Sequence, residues 1–227
     1  MVFVPAGQFW LGSDDVDAEP DERPRRRIFL PAFYIDRLEV TNRRYQELVP
    51  EHRYAPGEAD LPVTHVLKSE AEAFCRRAGR RLPTSAEWEK AARGTDGRVY
   101  PWGDQFQADH ANLSRRTNIT ATNAPDCQVP ISPSRGKLAG GSFPKGVSPY
   151  GCQDMAGNVW EWVGDAWVDP VPIGQKSTGE PRGILRGGAY SYSPRQARSS
   201  YQGFEAPGAT CHDVGFRCAL DALATVK

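Results

Sequence analysis

The sequence predicts an α+β fold with a few short helices, small twisted antiparallel sheets and many irregular loops. Among its 227 residues are 22 glycines and 19 prolines, which follow no repeating period and therefore predict many turns. Six tryptophans supply the large aromatic anchors that a loop-rich fold needs. Helix-capping motifs and short alternating segments are both present, so the chain contains helices and strands. We expect a single domain over residues 1–227, a length that can bury a sizeable core.

Strands are predicted near both ends of the chain, where short apolar segments lie between turn residues. A charged loop over residues 13–26, first acidic and then basic, separates the first two strands, and we expect it to be solvated. The last two strands close the domain. One strand followed by a tight turn is predicted within residues 2–12, and further strands are predicted at residues 28–34, 184–186 and 215–220.

Three helices are predicted by local capping motifs. Thr41-Asn42 begins the first helix, over Arg43–Val49. A capping box at Ser69-x-x-Glu72 begins the second, which ends before a glycine. A further box at Thr84-x-x-Glu87 begins the third helix, over residues 85–93, whose spacing of Trp and Ala predicts a buried apolar stripe.

Residues 95–183 contain short apolar clusters between turn residues, and no long periodic segment. A loop of that length is usually functional, or is ordered by something that binds to it. A bound ion is one candidate for that role.

The charge balance and the apolar runs argue against several classes of protein. Lys and Arg together number 28, as do Asp and Glu, so no net charge attracts nucleic acid or an anionic membrane. No apolar run approaches the length of a membrane span. Residues 1–7 lack the basic and long apolar segments of a signal peptide. We therefore expect a cytoplasmic protein, or a cell-surface protein if a leader has been removed.

A series of short motifs runs in order along nearly the whole chain. The motifs are Val4-Pro5-Ala6-Gly7, Glu39-Val40-Thr41-Asn42, Leu61-Pro62-Val63-x-His65-Val66, Arg81-Leu82-Pro83-Thr84-x-Ala86-Glu87-Trp88-Glu89, Tyr100-Pro101-Trp102-Gly103, Asp154-Met155-x-Gly157-Asn158-Val159-Trp160-Glu161-Trp162, Arg186-Gly187-Gly188 and Gly215-Phe216-Arg217. Together they resemble the formylglycine-generating enzyme, or sulfatase-modifying factor, family. The resemblance implies a loop-rich variant of the C-type lectin fold, and it implies that Cys75 faces Cys218 as a family disulfide.

The oxidase chemistry of that family uses two closely spaced thiolates after the Gly-Gly, which hold a monovalent copper ion. Residues 190–210 contain no cysteine here, and Tyr192 stands where the resemblance places the first thiol. A phenol oxygen cannot replace a soft thiolate for this ion. We therefore expect no copper and no formylglycine formation.

Two alternatives to a binding protein stay open in the sequence. One is an oxidoreductase or related enzyme that acts on a protein or amino-acid substrate, and the other is a maturation or regulatory module of a larger assembly. An iron-dependent sulfoxide synthase is disfavoured, because the histidines at 52, 65, 110 and 212 form no local metal motif.

Structural calcium is the cofactor that we expect, because calcium prefers carboxylate and carbonyl oxygens in irregular loops. The segment 154–161 offers carboxylates at both ends and free carbonyls between them. The resemblance implies a second calcium site at the Ala-Asn-Leu stretch. The implied ligands are the side chains of Asp154 and Glu161 with the carbonyls of Gly157 and Val159 at the first site, and Asn112 with the Leu113 carbonyl at the second.

The interval 190–213, between the Arg-Gly-Gly and Gly-Phe-Arg strands, is rich in Tyr, Ser and Gly, which is typical of adaptable binding surfaces. We expect a protein, peptide or carbohydrate ligand. Variable proteins of diversity-generating retroelements place their mutagenised residues in this interval of the same scaffold, so the resemblance implies a non-catalytic receptor of that kind. The candidate ligand-binding residues are Tyr190, Tyr192, Ser193, Arg195, Ser199, Tyr201, Gly203, Phe204, Glu205, His212 and Asp213.

Overall fold

The computed structural model describes residues 1–114, 136–168 and 179–222, which form three α-helices and nine strands in three sheets. The predicted α+β class is confirmed. No helix in this part of the chain is long and apolar enough to cross a membrane. The elements are α1 (Asn42–Leu48), α2 (Lys68–Arg77) and α3 (Ser85–Arg93), with β1 (Val2–Val4), β2 (Gly7–Leu11), β3 (Arg26–Leu30), β4 (Phe33–Ile35), β5 (Trp160–Trp167), β6 (Arg182–Arg186), β7 (Gly203–Glu205), β8 (Val214–Phe216) and β9 (Ala219–Asp221), and short 3₁₀ turns at Pro20–Glu22 and Pro144–Gly146.

Local capping bonds set where the first and third helices begin. The Thr41 hydroxyl accepts from the Arg44 N–H at 3.3 Å, so α1 begins one residue earlier than predicted. At α3 the Thr84 hydroxyl accepts from the Glu87 N–H at 3.1 Å, and the Glu87 carboxylate accepts from the Thr84 N–H at 2.8 Å. The predicted box and bounds of α3 are confirmed.

The capping box predicted for the second helix is wrong by two residues. Helix α2 begins after Leu67, whose N–H donates to the Glu70 carboxylate at 2.9 Å. Glu72 lies inside the helix instead, where it accepts from Lys68 Nζ at 2.5 Å, one turn earlier. Two similar motifs overlap here, and the upstream one is used.

Three predicted strands are each divided between two sheets. The strand predicted within residues 2–12 is two strands, β1 and β2, which belong to different sheets. Residues 28–34 contain the end of β3 and the start of β4, with Pro31 between them as a residue that cannot donate to a ladder. Strand β3 pairs with β2, whereas β4 lies between β1 and β9. Residues 215–220 likewise contain β8 and β9, which belong to different sheets.

Strand β5 lies in the stretch for which no periodic element was predicted. Its first four residues are all buried, so the alternation that marks a half-exposed strand is absent. It runs through the middle of a four-stranded sheet ordered β7-β6-β5-β8, antiparallel to β6 and parallel to β8. This sheet carries the Arg-Gly-Gly and Gly-Phe-Arg motifs into the core.

The core lies against both faces of the four-stranded sheet. Helix α3 contributes Trp88, Ala91 and Ala92, all fully buried, so the predicted apolar stripe is confirmed. Aromatic residues of α1, α2 and β8 form a second cluster, in which Tyr45 stacks on Phe74 with ring centroids 5.1 Å apart.

Buried ion pairs tie the irregular segments to this core. Glu89 on α3 accepts from the Gly12 N–H at 2.7 Å and from Arg93 at 3.0 Å, and its other oxygen accepts from Arg186 on β6. The charged loop contributes a further pair, since Glu22 is buried and accepts from Arg198 at 2.6 Å. The expectation of a solvated loop is therefore wrong at Glu22.

We predict that Glu89→Gln lowers the free energy of unfolding by about 3–5 kcal/mol, because it leaves buried guanidinium groups without a counter-charge. Asp60→Asn is the control, since Asp60 pairs with Arg43 at 3.0 Å while 71% and 60% of the two side chains stay exposed. We expect the control to change stability by about 1 kcal/mol or less. Urea unfolding measures both, and equal losses would contradict the prediction.

Candidate ligand-binding cleft

A cleft of about 760 Å³ opens between α1 with its following segment and the turn that precedes β8. The volume is in the range of small-molecule binding sites. Its walls carry rings, three carboxylates and two cationic side chains. The side chains that line the cleft include Asn42, Tyr45, Glu51, His52, Arg53, Tyr54, Glu58, Thr64, His65, Glu70, Lys137, Tyr190 and His212.

Aromatic and imidazole rings face one another across the cleft. The rings of His65 and His212 lie 6.5 Å apart, and Tyr190 meets His212 edge-on at 6.2 Å. On the α1 side, the His52 ring lies 5.0 Å from Tyr45. These side chains present flat surfaces with polar tips, an arrangement suited to a planar ligand group.

Hydrogen bonds fix the polar side chains of the cleft. Lys137 Nζ donates to the Thr64 hydroxyl at 2.6 Å. His52 Nε2 lies 3.0 Å from Asn42 Oδ1. His65 adopts a left-handed backbone with φ of 59°, and its N–H donates to the Cys211 carbonyl at 2.9 Å. The imidazole of His65 is thereby held at the exposed mouth of the cleft.

The surroundings of His65 and His52 favour the neutral form of both imidazoles. Partial burial lowers the pKa of His65 below its usual value, and the charges of Lys137 and His212 lower it further. Burial, Lys137 and Arg53 lower the pKa of His52 in the same way. Both imidazoles are therefore neutral at pH 7 and can act as hydrogen-bond donors and acceptors.

Most of these cleft residues were not predicted as site residues. His52, His65 and His212 are separated by long stretches of sequence, so no local spacing reveals that the fold brings them together. Lys137 follows a segment without recognisable periodicity. The signal that the sequence does contain is the motif around His65, which lies between two buried valines, Val63 and Val66.

The structure buries most of the residues that were predicted to bind ligand in the interval 190–213. Strand β7 pairs with β6, so this interval is folded onto the four-stranded sheet and its larger side chains enter the core. Gly203 begins β7 and is buried. The following side chains are at most 6% exposed: Tyr190, Tyr192, Ser199, Tyr201, Phe204 and Asp213.

Specific contacts explain this burial. Tyr192 packs edge-on against Trp160 with ring centroids 5.4 Å apart, and Phe204 packs against Trp167 at 4.8 Å. The Asp213 carboxylate accepts from the Ser191 hydroxyl at 3.2 Å. These side chains support the sheet, so the surface predicted from composition is not a continuous display surface.

The remaining predicted residues lie at or near the surface. Arg195 is exposed and pairs with Glu19 at 2.5 Å, whereas Ser193 and Glu205 are half-buried. Of the predicted set, Tyr190 and His212 line the cleft. Burial raises the pKa of Tyr190 to about 12, with a further contribution from Asp213, so its phenol is protonated at neutral pH.

Of the residues predicted for the first calcium site, Asp154, Gly157 and Val159 lie just before β5, and Glu161 lies in β5. Both oxygens of Glu161 accept from Arg217, at 2.6 and 2.7 Å, and one also accepts from the Trp88 indole. Asp154 has a left-handed backbone and accepts from the Gly141 N–H at 2.6 Å. Glu39 lies near Asp154. Burial raises the pKa of Glu39, and the negative charge of Asp154 raises it further. Gly157 and Val159, whose carbonyls were predicted as ligands, are both buried.

The second predicted calcium site begins at Asn112. Its side-chain amide donates to the Gly136 carbonyl at 3.0 Å, whereas its Oδ1 is buried and has no hydrogen-bond partner. Leu113 follows, with 8% of its surface exposed. Within the described ranges, no three acidic, histidine or cysteine side chains converge into a group that could hold a metal ion.

The described cysteines are all buried, and none lines the cleft. Cys75 and Cys218 are free thiols whose sulfur atoms lie 3.4 Å apart, so the pair implied by the resemblance is adjacent and unbonded. Burial raises the pKa of Cys152 to about 11. Cys211 is disulfide-bonded.

Comparison with known proteins decides the family of this domain. The model of the sulfatase-modifying factor enzyme 1-like domain matches residues 1–222. The chain belongs to this family. With the structural matches, this confirms the predicted fold, the formylglycine-generating enzyme type of the C-type lectin fold.

The relatives of this chain include a protein named as inactive and a protein named as an enzyme. The chain is 30% identical over 279 residues to the inactive C-alpha-formylglycine-generating enzyme 2 of Mus musculus, and the match covers 98% of this chain and 86% of that protein. It is also 30% identical over 290 residues to the formylglycine-generating enzyme of Bos taurus, covering 99% and 75%. A solved structure of Treponema denticola variable protein 1 matches with a TM-score of 0.73 and 21% identity, covering 98% of this chain and 95% of that one, which shows a shared fold.

Proposed function

We propose that this sulfatase-modifying factor domain is a non-catalytic ligand-binding protein whose binding site is the cleft beside α1. The observation that supports this proposal is the chemistry of the side chains that line the cleft. Tyrosines, imidazoles and one ammonium group face it, while the described cysteines are buried elsewhere. A copper-dependent oxidase needs two accessible thiolates, and burial keeps a thiol protonated.

The geometry supports binding more directly than it supports catalysis. The cleft combines several rings with a small number of fixed polar groups, as small-molecule and peptide sites do. Tyr190, two residues after the Gly-Gly motif, forms part of its wall. Because the relatives include both an enzyme and a protein named as inactive, family membership does not decide between the two functions, and the residues in the cleft carry the choice.

The activity test is to load the protein with Cu(I) and offer a cysteine-containing peptide of the kind that a formylglycine-generating enzyme converts. We expect no aldehyde product by mass spectrometry, because no described thiol reaches the cleft. An active formylglycine-generating enzyme, assayed in parallel, shows that the peptide and the copper are competent. Copper-dependent conversion of the cysteine to an aldehyde would contradict the proposal.

A more specific form of the proposal is a retroelement-diversified receptor. The fold that it shares with a variable protein supports this form, whereas the burial of most side chains in the interval 190–213 limits it. Variation that preserves the sheet is restricted to exposed or half-buried positions such as Ser193, Arg195, Glu205 and His212.

Sequencing the DNA on both sides of the gene tests the diversified form. We expect a reverse transcriptase gene and a near-identical template repeat that differs at adenines, with the differences falling on the accessible codons of the interval 190–213. The matched control is the codons of the buried residues in the same interval, which should be unchanged. Flanking DNA without such a repeat would remove this form and leave the binding proposal intact.

We also propose structural calcium at the two loops. Two buried oxygens that have no hydrogen-bond partner among the described residues support this, Asn112 Oδ1 at the second site and Glu39 Oε2 beside the first. Oxygens of this kind are what calcium binds, with backbone carbonyls completing its coordination. At the first site Asp154 has the freer carboxylate, because Arg217 already engages both oxygens of Glu161.

Calcium at a 100-fold excess over its dissociation constant should stabilise the protein by about 2.7 kcal/mol, which a melting curve with and without chelator measures. Asn112→Ala should reduce this gain. Asp109→Asn is the control, because Asp109 is exposed and pairs with Lys145 at 2.9 Å. An identical melting temperature with calcium and with chelator would count against the proposal.

A further inference from the structure

Among the described residues, neither cation of the cleft, Lys137 or Arg53, pairs with a carboxylate, and Lys137 is the more buried of the two. Lys137 is half-buried, and among the described residues its ammonium group donates to one neutral hydroxyl, that of Thr64, and makes no ion pair. An ammonium group has three donors, so donors are left for a ligand. Burial lowers the pKa of Lys137, with a smaller opposing effect from Glu58, which means that the surroundings compensate the charge poorly.

The imidazoles of His52 and His65 line the same cleft as this ammonium group. The positive charge of Lys137 contributes to the lowered pKa of both rings. Thr64 Oγ1, which accepts from Lys137, also lies 3.5 Å from His65 Nδ1. Lys137, Thr64 and His65 therefore present converging donors at one point of the cleft.

The rest of the lining restricts the charge and shape of a ligand. Tyr45, Tyr54 and Tyr190 provide ring surfaces, whereas Glu51, Glu58 and Glu70 supply negative charge elsewhere in the same cleft. A polyanion would meet these carboxylates and be repelled. A single oxyanion attached to a planar group meets the cation and the rings without that repulsion.

We propose that the cleft binds a ligand with one oxyanion, a carboxylate or a phosphate, attached to an aromatic or other planar group, and that Lys137, Thr64 and His65 form the oxyanion subsite. This inference rests on the proposed binding function and assigns a chemical class to the ligand.

The pH dependence of binding follows from the groups that face the subsite. Protonation of His65 or His52 adds positive charge beside Lys137, so the affinity for an oxyanion rises as the pH falls below about 6.5. His212 faces His65 from the other wall, with ring centroids 6.5 Å apart, and Asp213 follows it in the chain. Arg53, Glu51, Glu58 and Glu70 are the other charged side chains that line the cleft.

The test compares benzoate, phenyl phosphate and neutral benzamide, with binding measured by chemical-shift perturbation of the full chain at about pH 8 and about pH 6. We expect one anion or both to bind at least about 10-fold more tightly than benzamide. Benzoate, which stays a monoanion at both pH values, should bind more tightly still at the lower pH, whereas phenyl phosphate changes its own charge near pH 6 and is compared at one pH only. The stronger of the two anions identifies the ligand as a carboxylate or a phosphate.

Three variants separate the subsite from general effects. Lys137→Gln should abolish the preference for the anions, whereas Lys137→Arg should retain most of it, because the positive charge is kept. Lys145→Gln is the control, since Lys145 is exposed and lies outside the cleft, and it should bind like the unmodified chain. If Lys137→Gln fails to fold, the pH profile of the unmodified chain still decides the question.

Equal binding of benzamide and the anions, a preference that survives Lys137→Gln, or no binding of any probe would each overturn the oxyanion subsite. None of these results would overturn the proposed binding function, which fails instead if the copper assay produces an aldehyde.

Discussion

The fully buried ion pair between Arg217 and Glu161 is the interaction on which the rest of the structure depends. Arg217 follows β8, Glu161 lies in β5, and neither side chain has any exposed surface. The guanidinium group also donates to the carbonyls of Asp36, Arg37 and Gln153, at 3.0 to 3.2 Å. One side chain therefore joins the four-stranded sheet to the loop after β4 and to the turn before β5. Short strands alone offer few ladder bonds, so the loops of this fold are ordered by charged side chains that reach their carbonyls.

The same principle explains why the interval 190–213 supports the core and is not a free display loop. Arg186, which ends β6 just before this interval, pairs with Glu89 and donates to the carbonyls of Ser200 and Tyr201, at 2.8 and 2.9 Å. Arg198 within it pairs with the buried Glu22. Breaking any of these pairs would leave a buried charge, at a cost of several kcal/mol. Ligand recognition is consequently concentrated in the cleft, where Tyr190 and His212 emerge at the two ends of the interval.

The sequence predicts those parts of the fold that are determined locally. The bounds of α3 follow from Thr84 and Glu87, which cap each other across one turn. The division of residues 28–34 between two sheets does not follow in this way, because partners distant in the sequence choose the pairing of each half. The prediction of an exposed binding surface at residues 190–213 fails for a related reason. Tyr, Ser and Gly are typical of an exposed binding loop, but they also occur in a loop whose tyrosine rings pack around Trp160. Composition alone does not distinguish these two kinds of loop. The cleft itself depends on His52, His65 and Lys137 meeting through tertiary structure.

The cations of this protein also explain why Lys137 marks a site. Arg93, Arg186 and Arg198 are buried, and each has a carboxylate partner. Lys90, buried without such a partner, donates to two backbone carbonyls, those of Pro5 and Gly7 at 2.7 and 3.1 Å. Burial lowers the pKa of Lys90 and of Lys137 alike, but within the described part of the chain Lys137 donates to a single hydroxyl and lies at the wall of an open cleft. A poorly compensated cation costs stability, and a ligand that supplies the missing charge recovers that cost on binding. Among the described residues, Arg93, Arg186 and Arg198 already have a carboxylate partner, and in our proposal the ligand oxyanion supplies the corresponding negative charge to Lys137.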